Sequence, residues 1–253
     1  MSLGRQPQRM RTLSGTAIFA LGLLLAGCAG DANMQANTGT DPDDPLESWN
    51  RQVFAMNMNF DQWLLKPTAE AYVDVVPEPA RTGVHNFLVN LDSPVTFAND
   101  LFQGEVLLAG QTLGRFGLNT TIGVGGLVDV ATPAGIPLHS SDFGQTLGVW
   151  GVGPDPYLVL PLLGPSNPRD LTGYVADTFM DPLTYVGIRD YTYWAMGRGA
   201  VTIVDERSRN LEMMDELDRS SVDKYASMRS LYRQYRAAHI RHGQSDVQDL
   251  PNM

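Results

Sequence analysis

The chain has 253 residues, 43% of them hydrophobic, and its 18 basic and 28 acidic side chains leave a formal net charge of -10. That length suits one substantial domain, while the acidic balance argues against a nucleic-acid partner, whose phosphates select basic surfaces. A single cysteine excludes an intramolecular disulfide.

Arg5, Arg9 and Arg11 precede an apolar stretch from Ala17 to Leu25, with no acidic residue before Cys28. This is the order of a secretory signal over residues 1–27, and its apolar core is about half of the ~20 residues that a membrane-spanning helix needs. Leu25-Ala26-Gly27-Cys28 also resembles the lipobox of bacterial lipoproteins, in which the cysteine receives a diacylglycerol unit and an N-acyl chain and becomes the first mature residue. Two or three acyl chains anchor a protein stably, at ~0.8 kcal/mol per buried CH2. In Gram-negative lipoproteins an aspartate after the cysteine commonly signals inner-membrane retention, so Ala29 points to the outer membrane. Removing residues 1–27 takes away three arginines, and the mature charge becomes 15 minus 28, or -13. Residues 28–45 are polar and rich in Asn, Gln, Thr, Gly, Asp and Pro, the composition of a flexible tether.

The domain is expected over residues 46–242, with a disordered tail over 243–253. Leu46, Trp49, Val53, Met56, Phe60 and Trp63 recur at spacings of three and four, which predicts an amphipathic helix ending near Lys66-Pro67. A second helical pattern runs from Pro79 to Leu91, and Asp92-Ser93-Pro94 then predicts the start of a third. A fourth covers Glu105 to Leu118. From Leu118 to Gly164 the chain is apolar, rich in glycine and proline, and charged only at Asp129, Asp142 and Asp155. No uncharged run there exceeds thirteen residues, too short to span a bilayer simply. Such a stretch is either a buried irregular core layer or a surface or cavity facing lipid. Helical patterns return over Asn167 to Met180, from about Tyr191, and from Ser220 to His239. In the last of these Lys224, Arg229, Arg233 and Arg236 read as a solvated face.

The chemistry-bearing residue types form no recognisable catalytic or metal motif. His85, His139, His239 and His242 never pair as His-x-x-x-His, and no mature cysteine besides Cys28 exists to ligate zinc. His139-Ser140-Ser141-Asp142 places triad residue types side by side, but a triad assembles from distant positions and no Gly-x-Ser-x-Gly elbow occurs. Gly123-Val124-Gly125-Gly126 is better explained by a turn or close packing than by nucleotide binding. Gly110, Gly114 and Gly117 share one side of the fourth helix, a spacing that suits close helix approach in lipid or tight packing in a soluble bundle.

Seven ordered blocks from Asp44 to about Leu183 resemble the MlaA, or VacJ, family of outer-membrane lipoproteins. They are Asp44-Pro45-Leu46-Glu47 with Asn50-Arg51; Val76-Pro77-Glu78-Pro79-Ala80-Arg81; Asn86-Phe87; Arg115 to Thr120; Gly125 to Ala131; Phe143 to Gly148; and Gly151-Val152-Gly153 through Tyr157 to Leu160-Pro161. The resemblance implies a mainly α-helical, ring-shaped protein embedded in the inner leaflet of the outer membrane, around a polar-lined central channel. It implies non-enzymatic transport of misplaced outer-leaflet phospholipid to a soluble periplasmic carrier of the MlaC type, with a trimeric porin as partner. It places Asn57, Met58, Asn59 and Phe60 at a channel-closing segment and Gly151 and Gly153 on the lipid path. It also places Pro133, Gly135, Ile136, Pro137 and Leu138 in a pore-regulating loop that is short and stiff in this chain. Read by themselves, Asn57 and Asn59 equally suit a polar helix face, and Gly151 and Gly153 a turn before Pro154. The sequence leaves two other readings open: a structural or virulence-associated envelope lipoprotein without transport activity, and a lipid-cleaving enzyme.

Overall fold

The computed structural model describes residues 44–185 and 191–241. The signal sequence, Cys28, most of the tether and the tail from 243 lie outside the described residues. Helix α1 (Glu47–Phe60) does not end at Lys66-Pro67 as its pattern predicts. It passes through one π turn (Asp61–Leu65) into α2 (Lys66–Val75). Proline lacks an N–H and its ring crowds the carbonyl four residues back; the wider turn, in which Lys66 N reaches Asp61 O, relieves that crowding.

Helix α3 (Glu78–Phe102) corrects a second expectation, because Pro94 lies inside one 25-residue helix instead of opening a new one. An interior proline costs about 3 kcal/mol. Neighbours on both sides offset that penalty: α4 (Val106–Thr121) folds back along α3, and α7 (Tyr191–Arg209) crosses it, with Arg198 paired to Asp92 just before the proline. After α4 the glycine run is a turn that presses on α3. Gly126 has a φ of +93°, and a Cβ there would lie 2.7 Å from Asn90.

The apolar middle is less irregular than its composition implies. It contains α5 (Phe143–Val149), started by Asp142 accepting from Gln145 N at 2.8 Å, and a hairpin of β1 (Leu158–Leu160) and β2 (Gly164–Ser166). The strands are antiparallel, with Leu158 opposite Ser166 and Leu160 opposite Gly164. Helix α6 (Pro168–Met180) follows, capped by Asn167, and packs on α5 so closely that a Cβ at Gly173 would lie 2.2 Å from Gly144 N. Helices α8 (Leu211–Ser220) and α9 (Lys224–Ile240) complete the chain.

The hydrophobic core is small, formed by Val53, Tyr157, Val159 and Tyr225 with Phe54 and Tyr232 against it, where α1, β1 and α9 meet. Helix α9 is therefore no solvated face. Arg229 binds Asp44 at 3.0 Å, Arg233 lies 3.4 Å from Asp155, and Arg236 binds Asp142 at 2.6 Å and Asp170 at 2.9 Å. Asp44, expected in the tether, is fully buried and accepts from Asn50 at 3.0 Å and from the Tyr225 hydroxyl, so Asp44 packs as part of the domain.

Among the described residues eight hydrophobic side chains are buried, against sixteen polar or charged ones. Large apolar side chains instead crowd the outside. On α4 the buried positions are Ala109, Thr112, Arg115 and Asn119, while Val106 and Leu107 are 70% and 82% exposed. Water drives the opposite arrangement. A helix with its polar side inward and apolar side outward suits an apolar solvent around a hydrated interior. Gly110 and Gly117 lie on that outer side, with nothing among the described residues within 4 Å of an added Cβ, so neither packs against a described helix. No described helix is long and apolar enough to cross a membrane.

Candidate functional site: a polar cavity inside an apolar exterior

A cavity of about 780 Å3 opens between α3, α4, the 129–141 segment, α7 and α9. Helix α3 lines it with His85, Asn86, Val89, Asn90, Ser93 and Thr96, positions that recur along one face of a helix. Helix α4 supplies Leu108, Thr112, Arg115 and Asn119 at spacings of four, three and four. Sequence reasoning missed these residues, although two polar stripes at helical spacing, opposite apolar ones, are the signal that reveals them.

Two carboxylates, Asp100 buried and Asp129 half-buried, organise the walls. Asp100 is fully buried and accepts from Thr112 at 2.7 Å and Ser141 at 2.6 Å, with His139 Nε2 at 3.0 Å. Burial pushes its pKa up, but these donors outweigh it and hold the carboxyl below its ordinary value. His139 and Ser141 thus converge on one carboxylate rather than forming a serine-to-histidine relay. Asp129 accepts from Arg115 at 2.9 Å and Asn119 at 3.1 Å, and from the Thr132 hydroxyl and backbone. Those donors overcome burial and keep it well below the usual carboxylate range.

The same groups pin the segment expected to regulate a pore. Asn119 Oδ1 accepts from Val130 N and Ala131 N, and Arg115 donates to Thr132 at 2.9 Å and to Ile136 O. Pro133 and Pro137 flank a turn closed by Gly135 N to Thr132 O and Ile136 N to Ala131 O, both at 3.0 Å. Leu138 follows and lines the cavity.

A second cavity, of about 480 Å3, lies on the other side of the α5–α9 contact. Gln145 of α5 lines the first and Gly148 the second; on α9 Ala238 and His239 line the first, Tyr232, Arg233 and Arg236 the second. Gln145 donates to His239 O at 3.0 Å across the divide. Burial and the neighbouring Arg236 guanidinium lower the His239 pKa.

Residues 42–239 match the family model described as MlaA lipoprotein. The chain belongs to the MlaA lipoprotein family. An Escherichia coli K12 protein named intermembrane phospholipid transport system lipoprotein MlaA is 37% identical over 244 residues, 92% of each chain. A Haemophilus influenzae protein of the same name is 36% identical over 231 residues, 89% of each chain. A solved structure described as the structural basis for maintenance of bacterial outer membrane lipid asymmetry superposes with a TM-score of 0.69 at 37% identity, covering 76% of this chain and 96% of that one.

The residues expected at the lipid path in this MlaA-family chain divide into two groups. Asn57 Nδ2 donates to Leu160 O at 2.9 Å and its Oδ1 accepts from Leu162 N at 2.8 Å, so this side chain clamps the β-hairpin turn. Neither cavity's lining includes residues 57–60. Gly151 lines the second cavity, and Gly153 stands between its lining residues Val152 and Pro154. At Gly151 nothing lies within 4 Å of an added Cβ, but φ is +92°, so a side chain there has room and a strained backbone. A Gly151→Trp change therefore disturbs the backbone as well as filling space.

Proposed function

We propose that this chain transports phospholipid between membranes without making or breaking bonds, removing lipid misplaced in the outer leaflet of the outer membrane and passing it to a soluble periplasmic carrier. One observation carries the reading: a cavity of about 780 Å3, lined mostly by polar and charged residues, inside a domain whose exposed surface is rich in large apolar side chains. A phospholipid joins a charged headgroup to two apolar tails, and this arrangement offers each a matching environment. The headgroup occupies the hydrated cavity while the tails stay with the apolar exterior, so neither part crosses an unfavourable medium. The names of the relatives support the same process.

In this reading the domain sits as a ring around the channel within the inner leaflet, the amphipathic helices meeting acyl chains with one face. Cys28 carries diacylglycerol and an N-acyl chain, and the protein works beside a trimeric porin. The 133–138 turn, bound to Arg115 of the cavity wall, is a fixed rim rather than a mobile flap. Deleting the gene is expected to raise outer-leaflet phospholipid, read by surface-accessible labelling of phosphatidylethanolamine, and the intact gene is expected to restore the normal level. Unchanged outer-leaflet lipid in the deletion strain would instead support a structural envelope lipoprotein. Fatty acid released from phospholipid vesicles by the purified protein would support an enzyme.

A further inference from the structure

Where α7 crosses α3, side chains of three metal-ligating types meet beside the polar cavity. His85 of α3 and Glu206 of α7 line that cavity, and Asp205, next to Glu206, is 1% exposed. One ligand atom from each of the three falls within 4.8 Å of the others. The Asp205 carboxylate is only half satisfied. Its Oδ2 lies 2.8 Å from His85 Nδ1 and accepts from Arg209 Nε at 3.1 Å, whereas its Oδ1 is buried with no hydrogen-bond partner. A buried anionic oxygen without a donor is costly. Water does not reach it, but a bare cation is smaller than water and fits among ligating side chains.

We propose that His85, Asp205 and Glu206 bind a divalent cation of the zinc class. One imidazole and two carboxylates are ligands that zinc accepts, at about 2.0–2.2 Å, and the imidazole selects zinc-like ions over magnesium and calcium. At those bond lengths tetrahedral ligand atoms lie about 3.4 Å apart. The three atoms therefore need only close from 4.8 Å or less to that separation, and Glu206, exposed on the cavity side, has the freedom to do so. Among the described residues one guanidinium, Arg209, is paired with the cluster, against its two carboxylates. Three protein ligands leave a fourth position for water, and the cavity beside Glu206 provides the way in. His85 and Asp205 stand 120 positions apart, which is why no spacing in the sequence displays this ligand set. An ion held by both pins α7 across α3, so its role is to fix the cavity wall rather than to perform chemistry.

The test titrates Zn2+ into the full chain, carrying no affinity tag, purified in detergent and freed of metal with a chelator. Binding is read by calorimetry and stability by thermal scans. One zinc ion per chain is expected, with an unfolding temperature that rises with zinc concentration. Glu206→Gln, at an exposed position, is expected to keep the metal-free unfolding temperature and to bind zinc at least about tenfold more weakly, since even changes outside the ligand shell cost about 10–100-fold. His85→Gln is expected to lose more, and the Glu206→Gln arm decides the matter even where His85→Gln fails to fold. Mg2+ and Ca2+ at the same concentrations are expected to leave the unfolding temperature unchanged. Zinc binding undiminished in Glu206→Gln, or no saturable binding to the wild-type chain, would overturn the site. An equal response to Ca2+ would overturn it too, marking a general acidic surface in place of a ligand set that includes an imidazole. The transport reading is judged separately, by outer-leaflet labelling in cells, and stands or falls whatever these titrations give.

Discussion

Asn50 is fully buried and spends its whole amide on three partners. It donates to Asp44 and to Tyr157 O, both at 3.0 Å, and accepts from Val159 N at 2.8 Å, tying α1 to the start of the domain and to β1. Asn50→Ala strands a buried N–H and a buried carbonyl and is expected to lower stability by about 2–4 kcal/mol, measured by chemical unfolding in detergent. Asp177 supplies a pH-dependent counterpart. Burial, outweighing the donors Asn99 and Phe143 N, lifts its pKa to about 6 from 3.8. The folded state thus binds this proton more tightly than the unfolded one. Its contribution to stability is fully present below the unfolded pKa and is lost as pH rises towards about 6. Relative to wild type, Asp177→Asn should therefore gain stability on going from about pH 4 to about pH 7, a difference visible in paired thermal scans; parallel profiles would contradict the assignment. Few of these residue roles could be read from sequence. Ser141 and Asp142 look like triad neighbours in the chain, but the carboxylate that Ser141 and His139 share is Asp100, 41 and 39 positions away. A linear pattern does not encode such pairings, and the same holds for Asn57, whose partners lie on a hairpin more than 100 residues distant.

At the scale of elements, periodicity located the helices well and misplaced their ends at prolines. Both Pro67 and Pro94 were read as boundaries, yet one is accommodated by a π turn and the other by the helices packed beside it. Those causes are tertiary. The short β-hairpin was hidden as well, because three-residue strands around Pro161 and Pro165 carry no alternating pattern long enough to detect. The charges of helix α9 suggest a solvated face, but their partners lie on distant parts of the chain. The inverted polarity of α4, by contrast, is written in the sequence. Leu107 and Leu113 are 82% and 56% exposed on its outer side, so replacing both with lysine, whose long stem keeps much of the remaining contact, should leave folding intact. In an unlipidated Cys28→Ala background, the Leu107→Lys/Leu113→Lys protein is expected to leave vesicles that retain the Cys28→Ala parent, scored by flotation. Equal flotation would show that this side does not meet lipid.

For the whole molecule, the legible part is the family, carried by blocks several of which meet at the Asp44–Asn50–Tyr157 clamp, the Arg115–Asn119–Asp129 wall and the α5–α6 contact. The cavity itself was not legible, since it is assembled from α3, α4, α7 and α9. Cys28 and the apolar exterior play separate parts in this account: the lipid anchor sorts the protein, and the exterior embeds it. Cys28→Ala should therefore mislocalise the protein while the purified domain still requires detergent; a water-soluble monomer would contradict the embedding. The most direct test of the central claim is photocrosslinking in cells labelled with radioactive phosphate, with a benzophenone amino acid at Leu138 on the cavity wall and at Leu107 on the exterior. The account predicts labelled phospholipid at both positions. Label at Leu107 with none at Leu138 would describe a protein that sits in lipid but does not conduct it.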